Sequence, residues 1–182
     1  MRVITGKAKG IPLQSPRGYD IRPTTDKVKG AIFNRIMNVY PEDVVLDLYA
    51  GAGGMGIEFL SRGAENVKLV DMDRDHCRLI EENLQKTHLV GEVICNDVEA
   101  SLRKFAIEGL KFDIIFMDPP YEQGFAQKNL QLLDSLQLLK ENGMIIVEHE
   151  AALSLNLTFE NFSFVDDRKY GSIRITYFKQ GS

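Results

Sequence analysis

The stretch VVLDLYAGAGGMG, residues 44–56, joins an apolar run of strand length to a loop rich in glycine. The apolar run predicts a buried strand, and Gly51, Gly53 and Gly56 satisfy the G-x-G-x-x-G pattern of a loop that opens a helix. Asp71 lies 20 residues after Gly51, at the end of the next predicted strand, where a carboxylate can accept hydrogen bonds from ribose hydroxyls. The stretch therefore predicts a nucleotide-binding α/β fold.

Strands and helices alternate outward from this stretch. Strands are predicted at 44–48, 67–70, 93–95, 112–117 and 144–147, and helices at 56–62, 74–86, 98–105 and 125–139. Two strand-like stretches, 162–165 and 173–178, follow without a helix between them. This order predicts a Rossmann-like, doubly wound α/β fold with a seven-stranded, mostly parallel sheet and one antiparallel strand at its carboxyl-terminal edge.

The segment before the sheet is basic. Residues 1–38 carry eight Lys/Arg against two acidic residues, although the whole chain of 182 residues has a net charge of −4. Residues 1–13 predict a short β-hairpin, and Thr24 or Thr25 can cap a helix with an apolar stripe from Val28 to Ile36. A basic segment on an acidic body fits either a polyanion contact on one face or a solvated arm.

Composition places the chain among soluble globular proteins of one domain. With 44% hydrophobic and 26% charged residues, it has no apolar run near the ~20 residues of a membrane span. The two cysteines and three histidines show no metal-binding spacing. We expect a monomeric, cytoplasmic protein without a metal, with a hairpin and basic loop at 1–23 and a catalytic α/β core at 24–182.

A second informative stretch is FDIIFMDPPY, residues 112–121. The apolar run predicts a strand buried on both faces, and two prolines end it because neither has an N–H for the ladder. We call residues 118–121 the tip: a carboxylate on Asp118, backbone carbonyls at Pro119 and Pro120, and the ring of Tyr121. Ligands bind at this end of parallel strands, although the tetrapeptide alone also fits an ordinary turn.

The nucleotide is suggested by what precedes the glycine loop. A dehydrogenase directs a pyrophosphate at the helix N-terminus, and the carboxylate of Asp47 on the preceding strand would repel it. Asp47 suits a ligand with a cationic end, such as S-adenosylmethionine, and can equally cap the loop amides. Asp97 follows the third strand, where it can accept from an adenine amine or serve only as a helix N-cap.

Together these motifs resemble the class I S-adenosylmethionine-dependent methyltransferases, and specifically the RsmD family. The resemblance includes LDLYAGAGGMGIEFLSRGA, VDMDRD and FDIIFMDPPY, and extends to MRVITGKAKGIPL, RPTTDKVKGAIFN and KYGSIRITYF, so that it covers nearly the whole chain. Two departures stand out: the loop reads AGAGGMG where the family usually has a serine, and Gly30 stands where an acidic residue is expected.

The resemblance implies an enzyme that methylates a guanine N2 in 16S ribosomal RNA, free or in the small subunit. It implies catalytic roles for Asp118, Pro119, Pro120 and Tyr121: Asp118 and the Pro119 carbonyl hold the amine, and Tyr121 stacks on the base. It implies a cofactor site that consists of Arg22, Thr24, Asp47, Tyr49, Gly51, Gly53, Asp71, Met72 and Asp97. Contacts to RNA phosphates are expected from Arg2, Lys7, Lys9 and Arg17, so that removing residues 1–13 should weaken RNA binding more than cofactor binding.

Three alternatives remain open from the residues alone. The tip also marks adenine-N6 methyltransferases acting on DNA or RNA, although those generally carry a separate target-recognition region for which this chain has no room. The glycine loop fits an NAD-dependent oxidoreductase, which the Asp47 position disfavours. A non-catalytic RNA-binding domain would give no reason for the glycine loop and the tip to occur together.

Overall fold

The computed structural model describes residues 1–18, 23–122 and 124–181, and its helices and strands alternate from residue 44 to residue 150. The helices are α1 Asp26–Ile36, α2 Gly54–Ser61, α3 Arg74–Thr87, α4 Val98–Ile107 and α5 Phe125–Ser135. The strands are β1 Val44–Leu48, β2 Asn66–Asp71, β3 Glu92–Cys95, β4 Phe112–Met117, β5 Leu139–Glu150, β6 Ser163–Tyr170 and β7 Ile173–Lys179. None of the described helices is long and apolar enough to cross a membrane.

The seven strands form one mixed sheet in the order β3-β2-β1-β4-β5-β7-β6. β7 runs antiparallel to both β5 and β6, so six strands are parallel and one is antiparallel, as predicted. Its predicted place at the edge was wrong, because β7 lies between β5 and β6 and β6 takes the edge. A tight turn at Gly171 (φ +62°) joins β6 to β7, which pair directly. The connection at 151–162 is long enough for β6 to lie one strand away from β5, with β7 between them.

The chain divides into two compact units, and the first, Met1–Asn96, contains β1 to β3 and α1 to α3. Its strands pair in parallel, with Val45 opposite Val67 and Leu69 opposite Val93. Phe33 of α1 packs edge-on against Phe59 of α2, with ring centroids 4.7 Å apart. Thr25 caps α1 by accepting from Val28 N, which confirms one of the two predicted caps.

The second unit, Asp97–Ser182, contains β4 to β7, α4 and α5. The predicted helix at 125–139 was too long, since α5 ends at Ser135. Gln137 takes a left-handed conformation (φ +52°), and the buried Leu138 and Leu139 belong to the turn and to the start of β5. Leu136, Leu138 and Leu139 extended the helical pattern in the sequence beyond Ser135, where α5 ends. That the whole chain acts as one domain stays a prediction.

Candidate active site

The glycine loop, residues 49–53, turns the chain tightly between β1 and α2. Tyr49, Gly51 and Gly53 all have positive φ, and Gly53 N donates to Ala50 O at 2.8 Å. Gly56 in α2 packs against β2, and a Cβ there would lie 2.4 Å from Leu69 Cδ2. The pattern G-x-G-x-x-G corresponds here to a tight turn followed by close packing of α2 on β2.

Asp47 lies buried on β1, directly beneath this loop. Its Oδ2 accepts from Gly56 N at 2.9 Å, which supplies an acceptor to the first turn of α2 where Gly53 has no side chain to do so. Burial raises the pKa of Asp47 to about 7; the Gly56 hydrogen bond opposes this shift and the charge of Asp71 adds to it. The capping role predicted as one alternative is thus confirmed, and a ligand role stays a prediction.

Asp71 ends β2 and is hydrogen-bonded to the glycine loop, while its predicted contact with ribose hydroxyls stays a prediction. Its Oδ2 accepts from Gly51 N at 2.9 Å, and its Oδ1 accepts from Asp73 N at 2.9 Å. His76 Nδ1 lies 3.2 Å from the same Oδ1. Met72, the next predicted cofactor residue, is largely exposed. The structure therefore brings Gly51 and Asp71 together and leaves the side chain of Met72 open to a ligand.

The amino-terminal hairpin, residues 1–13, is bonded to this same unit through a buried carboxylate. Glu58 of α2 accepts from Ile4 N at 2.8 Å and Thr5 N at 3.2 Å. Lys29 Nζ lies 3.2 Å from Glu58 Oε1, and Arg62 Nε lies 2.9 Å from Oε2. We call Glu58, Lys29 and Arg62 the Glu58 cluster; Glu58 and Lys29 are fully buried, and burial lowers the pKa of Lys29 against the attraction of Glu58.

Further hydrogen bonds bind the hairpin and the residue that follows it. Ser61 of α2 accepts from Ala8 N and donates to Thr5 O, and the Asn83 side chain bonds both N and O of Gln14. Asn83 Nδ2 also donates to Ala52 O in the glycine loop at 2.9 Å. Deleting residues 1–13 would remove bonding partners of Glu58 and Lys29, and the expected larger effect on RNA binding than on cofactor binding stays a prediction.

The exposed cations of this segment lie where RNA could reach them. Arg2, Lys7, Lys9 and Arg17 are all exposed, and Arg2 pairs with Asp26 at 3.0 Å. Lys29, one of the eight basic residues of the segment, instead lies inside the Glu58 cluster. Arg22, the residue expected to close over the cofactor, lies outside the described residues.

In the second unit, β4 ends at Met117 and the tip follows, as the two prolines predicted. Asp118 is half-buried, Pro119 is buried, and the ring of Tyr121 is 47% exposed. An exposed aromatic ring next to a rigid turn can take a stacked base without rearrangement of the core. The catalytic roles of the tip residues stay a prediction.

A small cleft adjoins the tip. It is lined by residues 119–121 of the tip, residues 124–127 at the start of α5, His149 and Glu150 at the end of β5, and Leu153. His149 is buried, with Nε2 2.7 Å from Thr176 Oγ1 and Nδ1 2.9 Å from Glu150 O. Burial lowers the pKa of His149, so its imidazole is neutral at pH 7. Sequence patterns did not identify Gln127, because a glutamine in a helix carries no motif.

Asp97, predicted to accept from an adenine amine, caps α4 in the second unit. Its side chain accepts from Ala100 N at 2.9 Å, which is the structural role that the sequence left open. The side chain is exposed, and its cofactor role stays a prediction. Thr24 directly precedes the cap of α1 and is half-buried.

Comparison with known proteins decides the family. The model of a family described as "Conserved hypothetical protein 95" matches residues 1–179. The putative rRNA methyltransferase YlbH of Bacillus subtilis is 38% identical over 99% of both chains. Ribosomal RNA small subunit methyltransferase D of Escherichia coli is 31% identical over 95% of this chain and 86% of its own. The chain belongs to the RsmD family of methyltransferases.

Solved structures of methyltransferases have the same fold as this RsmD-family chain. A putative methyltransferase of E. coli, yhhF, superposes with a TM-score of 0.87 at 29% identity over 100% of this chain and 98% of that one. The 16S rRNA N2 methyltransferase RsmC of T. thermophilus, in complex with AdoMet and guanosine, has a TM-score of 0.71 at 20% identity, over 91% of this chain and 45% of its own. At that identity the second likeness establishes the class I methyltransferase fold.

The two departures of this RsmD-family chain are accommodated locally. Ala52, where serine is usual, is buried in the loop, and its backbone oxygen takes the Asn83 bond described above. Gly30 lies inside α1, and a Cβ added there would meet nothing within 4 Å. Neither departure therefore alters the backbone that the family pattern predicts.

Proposed function

We propose that this chain transfers a methyl group from S-adenosylmethionine to the exocyclic N2 amine of a guanine in small-subunit (16S) ribosomal RNA. The observation that carries the proposal is the tip, where Asp118 is half-buried on a rigid Pro-Pro turn beside the exposed ring of Tyr121. The names of the relatives support ribosomal RNA as the substrate. The choice of guanine depends on the resemblance to the RsmD family.

The amine of guanine is a poor nucleophile because its lone pair is delocalised into the ring. Asp118 Oδ and the Pro119 carbonyl accept hydrogen bonds from the two N–H groups of this amine, which orients the nitrogen lone pair. The ring of Tyr121 stacks on the base. The lone pair forms the N–CH3 bond while the S–CH3 bond breaks, and its electron pair returns to sulfur as the neutral thioether S-adenosylhomocysteine. The methylated nitrogen is then acidic and releases its proton to Asp118 or to water.

The residues assigned to the cofactor lie mainly in the first unit. An ionised carboxylate has about four acceptor positions, and the contacts of Asp71 described above leave capacity for a ribose hydroxyl. We assign the backbone at Gly51 and Gly53, together with Tyr49 and Met72, to the walls of this site. Asp47 attracts the cationic end of the cofactor, Asp97 accepts from adenine, and Arg22 and Thr24 close over the ligand.

The exposed cations of the amino-terminal segment bind RNA phosphates. Each phosphate contact contributes a term that weakens as salt concentration rises. Charge-removing substitutions of Lys7 and Lys9 should therefore reduce the salt dependence of RNA binding while the affinity for S-adenosylmethionine stays the same. We propose that the enzyme acts as a cytoplasmic monomer on free 16S rRNA or on the small subunit.

The test is mass spectrometry of 16S rRNA from cells with and without the protein. Loss of one N2-methylguanosine in the deletion strain, restored by the wild-type gene and not by an Asp118→Ala gene, is the expected result. Purified protein with tritiated S-adenosylmethionine should label small subunits or deproteinised 16S rRNA, and nuclease digestion identifies the product. N6-methyladenosine instead of N2-methylguanosine would establish the adenine alternative, and calorimetric binding of NAD without S-adenosylmethionine would establish the oxidoreductase.

A further inference from the structure

The cleft beside the tip contains a buried acceptor without a donor. Gln127 lines the cleft, and its Oε1 is buried with no hydrogen-bond partner among the residues that the structure describes. An unsatisfied buried acceptor costs about 1–3 kcal/mol, so such atoms are rare and call for an explanation. A ligand that brings an N–H into the cleft would supply the missing partner.

The position of Gln127 in its helix makes the unpaired oxygen more informative. Gly124 is the N-cap of α5, so Gln127 is the third residue of the helix. A glutamine at this position commonly turns back to accept from the N-cap N–H, which closes a capping box. Gly124 has no side chain to complete that box, and a Cβ built on it would lie 3.7 Å from Gln127 Oε1. The oxygen therefore lies near the start of α5 without a hydrogen bond to the N-cap N–H.

The lining of the cleft suits the face of a planar base. Pro119, Pro120 and Tyr121 supply apolar and aromatic surface, and the hydrogen bonds of His149 to Thr176 and Glu150 leave the imidazole engaged. Gln127 and Glu150 are then polar residues of the lining, and Gln127 Oε1 is buried without a partner among the described residues.

We propose that Gln127 Oε1 accepts the N1–H of the target guanine and thereby distinguishes guanine from adenine. This inference rests on the function proposed above, in which Asp118 and the Pro119 carbonyl occupy both N–H bonds of the amine. The ring nitrogen N1 beside the amine-bearing carbon carries a hydrogen in guanine and a bare lone pair in adenine. An acceptor at N1 pairs with guanine and repels adenine. The tip binds the exocyclic amine that both bases carry, so this one oxygen atom would distinguish guanine from adenine.

The test uses an RNA fragment that carries the methylated guanine identified by mass spectrometry, with either guanine or 2-aminopurine at that one position. 2-Aminopurine keeps the amine at C2 and has a bare N1. We expect the wild-type enzyme to lose at least about 10-fold in kcat/KM on the 2-aminopurine fragment. Gln127→Leu should lose activity on guanine and lose most of this preference. Gln127→Glu keeps an oxygen acceptor and should keep the preference.

Gln131→Leu is the matched control, since Gln131 lies one turn later on α5 and is exposed. It should retain the wild-type activity and preference, and calorimetry with S-adenosylmethionine checks that every variant is folded. A Gln127→Leu enzyme that discriminates between the two fragments as strongly as wild type overturns the inference. The proposed function fails separately, if the wild-type enzyme does not methylate the guanine fragment at all.

Discussion

In the unit Met1–Asn96, the buried polar groups around the glycine loop bond one another, whereas in the unit Asp97–Ser182 the cleft holds an acceptor without a donor among the described residues. Glu58 accepts four hydrogen bonds or ion-pair contacts, from Ile4, Thr5, Lys29 and Arg62. Gln127 Oε1 has none. In the first region the buried polar groups stabilise the fold by bonding one another. In the second region we propose that the buried Gln127 Oε1 binds a ligand. Substitutions should therefore change stability in the first region and methyl transfer in the second.

The largest effect is expected at Glu58. Glu58→Gln removes the charge that faces Lys29 and Arg62 and turns an amide donor toward other donors, so we expect a loss of about 3–5 kcal/mol in the free energy of unfolding, measured in urea. The control is Glu99→Gln in α4, whose pair with Arg103 (2.9 Å) is exposed and should contribute at most about 0.5 kcal/mol. Equal effects of the two substitutions would contradict the claim that the buried Glu58 cluster stabilises the first unit.

At the tip, Asp118→Ala should change the rate and leave the fold intact. Loss of one oriented acceptor should lower single-turnover methyl transfer on the order of 100- to 1,000-fold, while the affinity for S-adenosylmethionine changes at most a few-fold. Asp113→Asn is a control on the same strand, because Asp113 pairs with Lys140 at 2.8 Å and is not part of the tip. Full turnover by Asp118→Ala would contradict the role proposed for the tip.

The buried carboxylate of Asp47 should make the stability of the first region depend on pH. Its pKa is raised to about 7 in the folded chain and is about 3.9 when unfolded. Between these values the folded chain holds more protons, so the contribution of Asp47 is full below about pH 4 and is lost as pH rises through 7. Relative to Asp47→Asn, the wild type should lose up to about 1.4 kcal/mol per pH unit between pH 5 and pH 7.

Urea unfolding of both proteins from pH 5 to pH 8 measures this slope. Asp73 provides a control of opposite sign, because hydrogen bonds from His76 N and Asp75 N lower its pKa. Its contribution is present above about pH 4 and is lost as pH falls further, so Asp73→Asn should not reproduce the slope near neutrality. A flat difference between wild type and Asp47→Asn would mean that the buried carboxylate keeps its charge at pH 5.

The sequence predicted what local patterns encode and missed what depends on tertiary contact. The strand, glycine loop and Asp71 have fixed spacings that follow from backbone geometry, and the structure places them in the predicted order, with Asp71 at the end of β2. Lys29 and Glu58 are 29 residues apart, and nothing in their neighbours indicates that both become buried together. Gln127 differs from Gln131 only by its place on α5 relative to the tip, which a helical pattern does not reveal. The antiparallel strand was misplaced for the same reason, since strand order depends on long-range pairing.

The smallest effect on stability is expected at Gly30. Gly30 and Gly56 lie in the same unit and differ in the space that a Cβ would have. A Cβ at Gly30 meets open space inside α1, so Gly30→Ala should stabilise the chain by about 0.5–1 kcal/mol in urea unfolding. Gly56→Ala should destabilise it, because the same Cβ would lie 2.4 Å from Leu69 Cδ2. A loss of stability in Gly30→Ala would mean that α1 needs the missing side chain. If Gly30→Ala is more stable but methylates RNA more slowly, Gly30 contributes to substrate binding and not to stability. It would then differ from the buried polar groups of the same unit, which stabilise the fold.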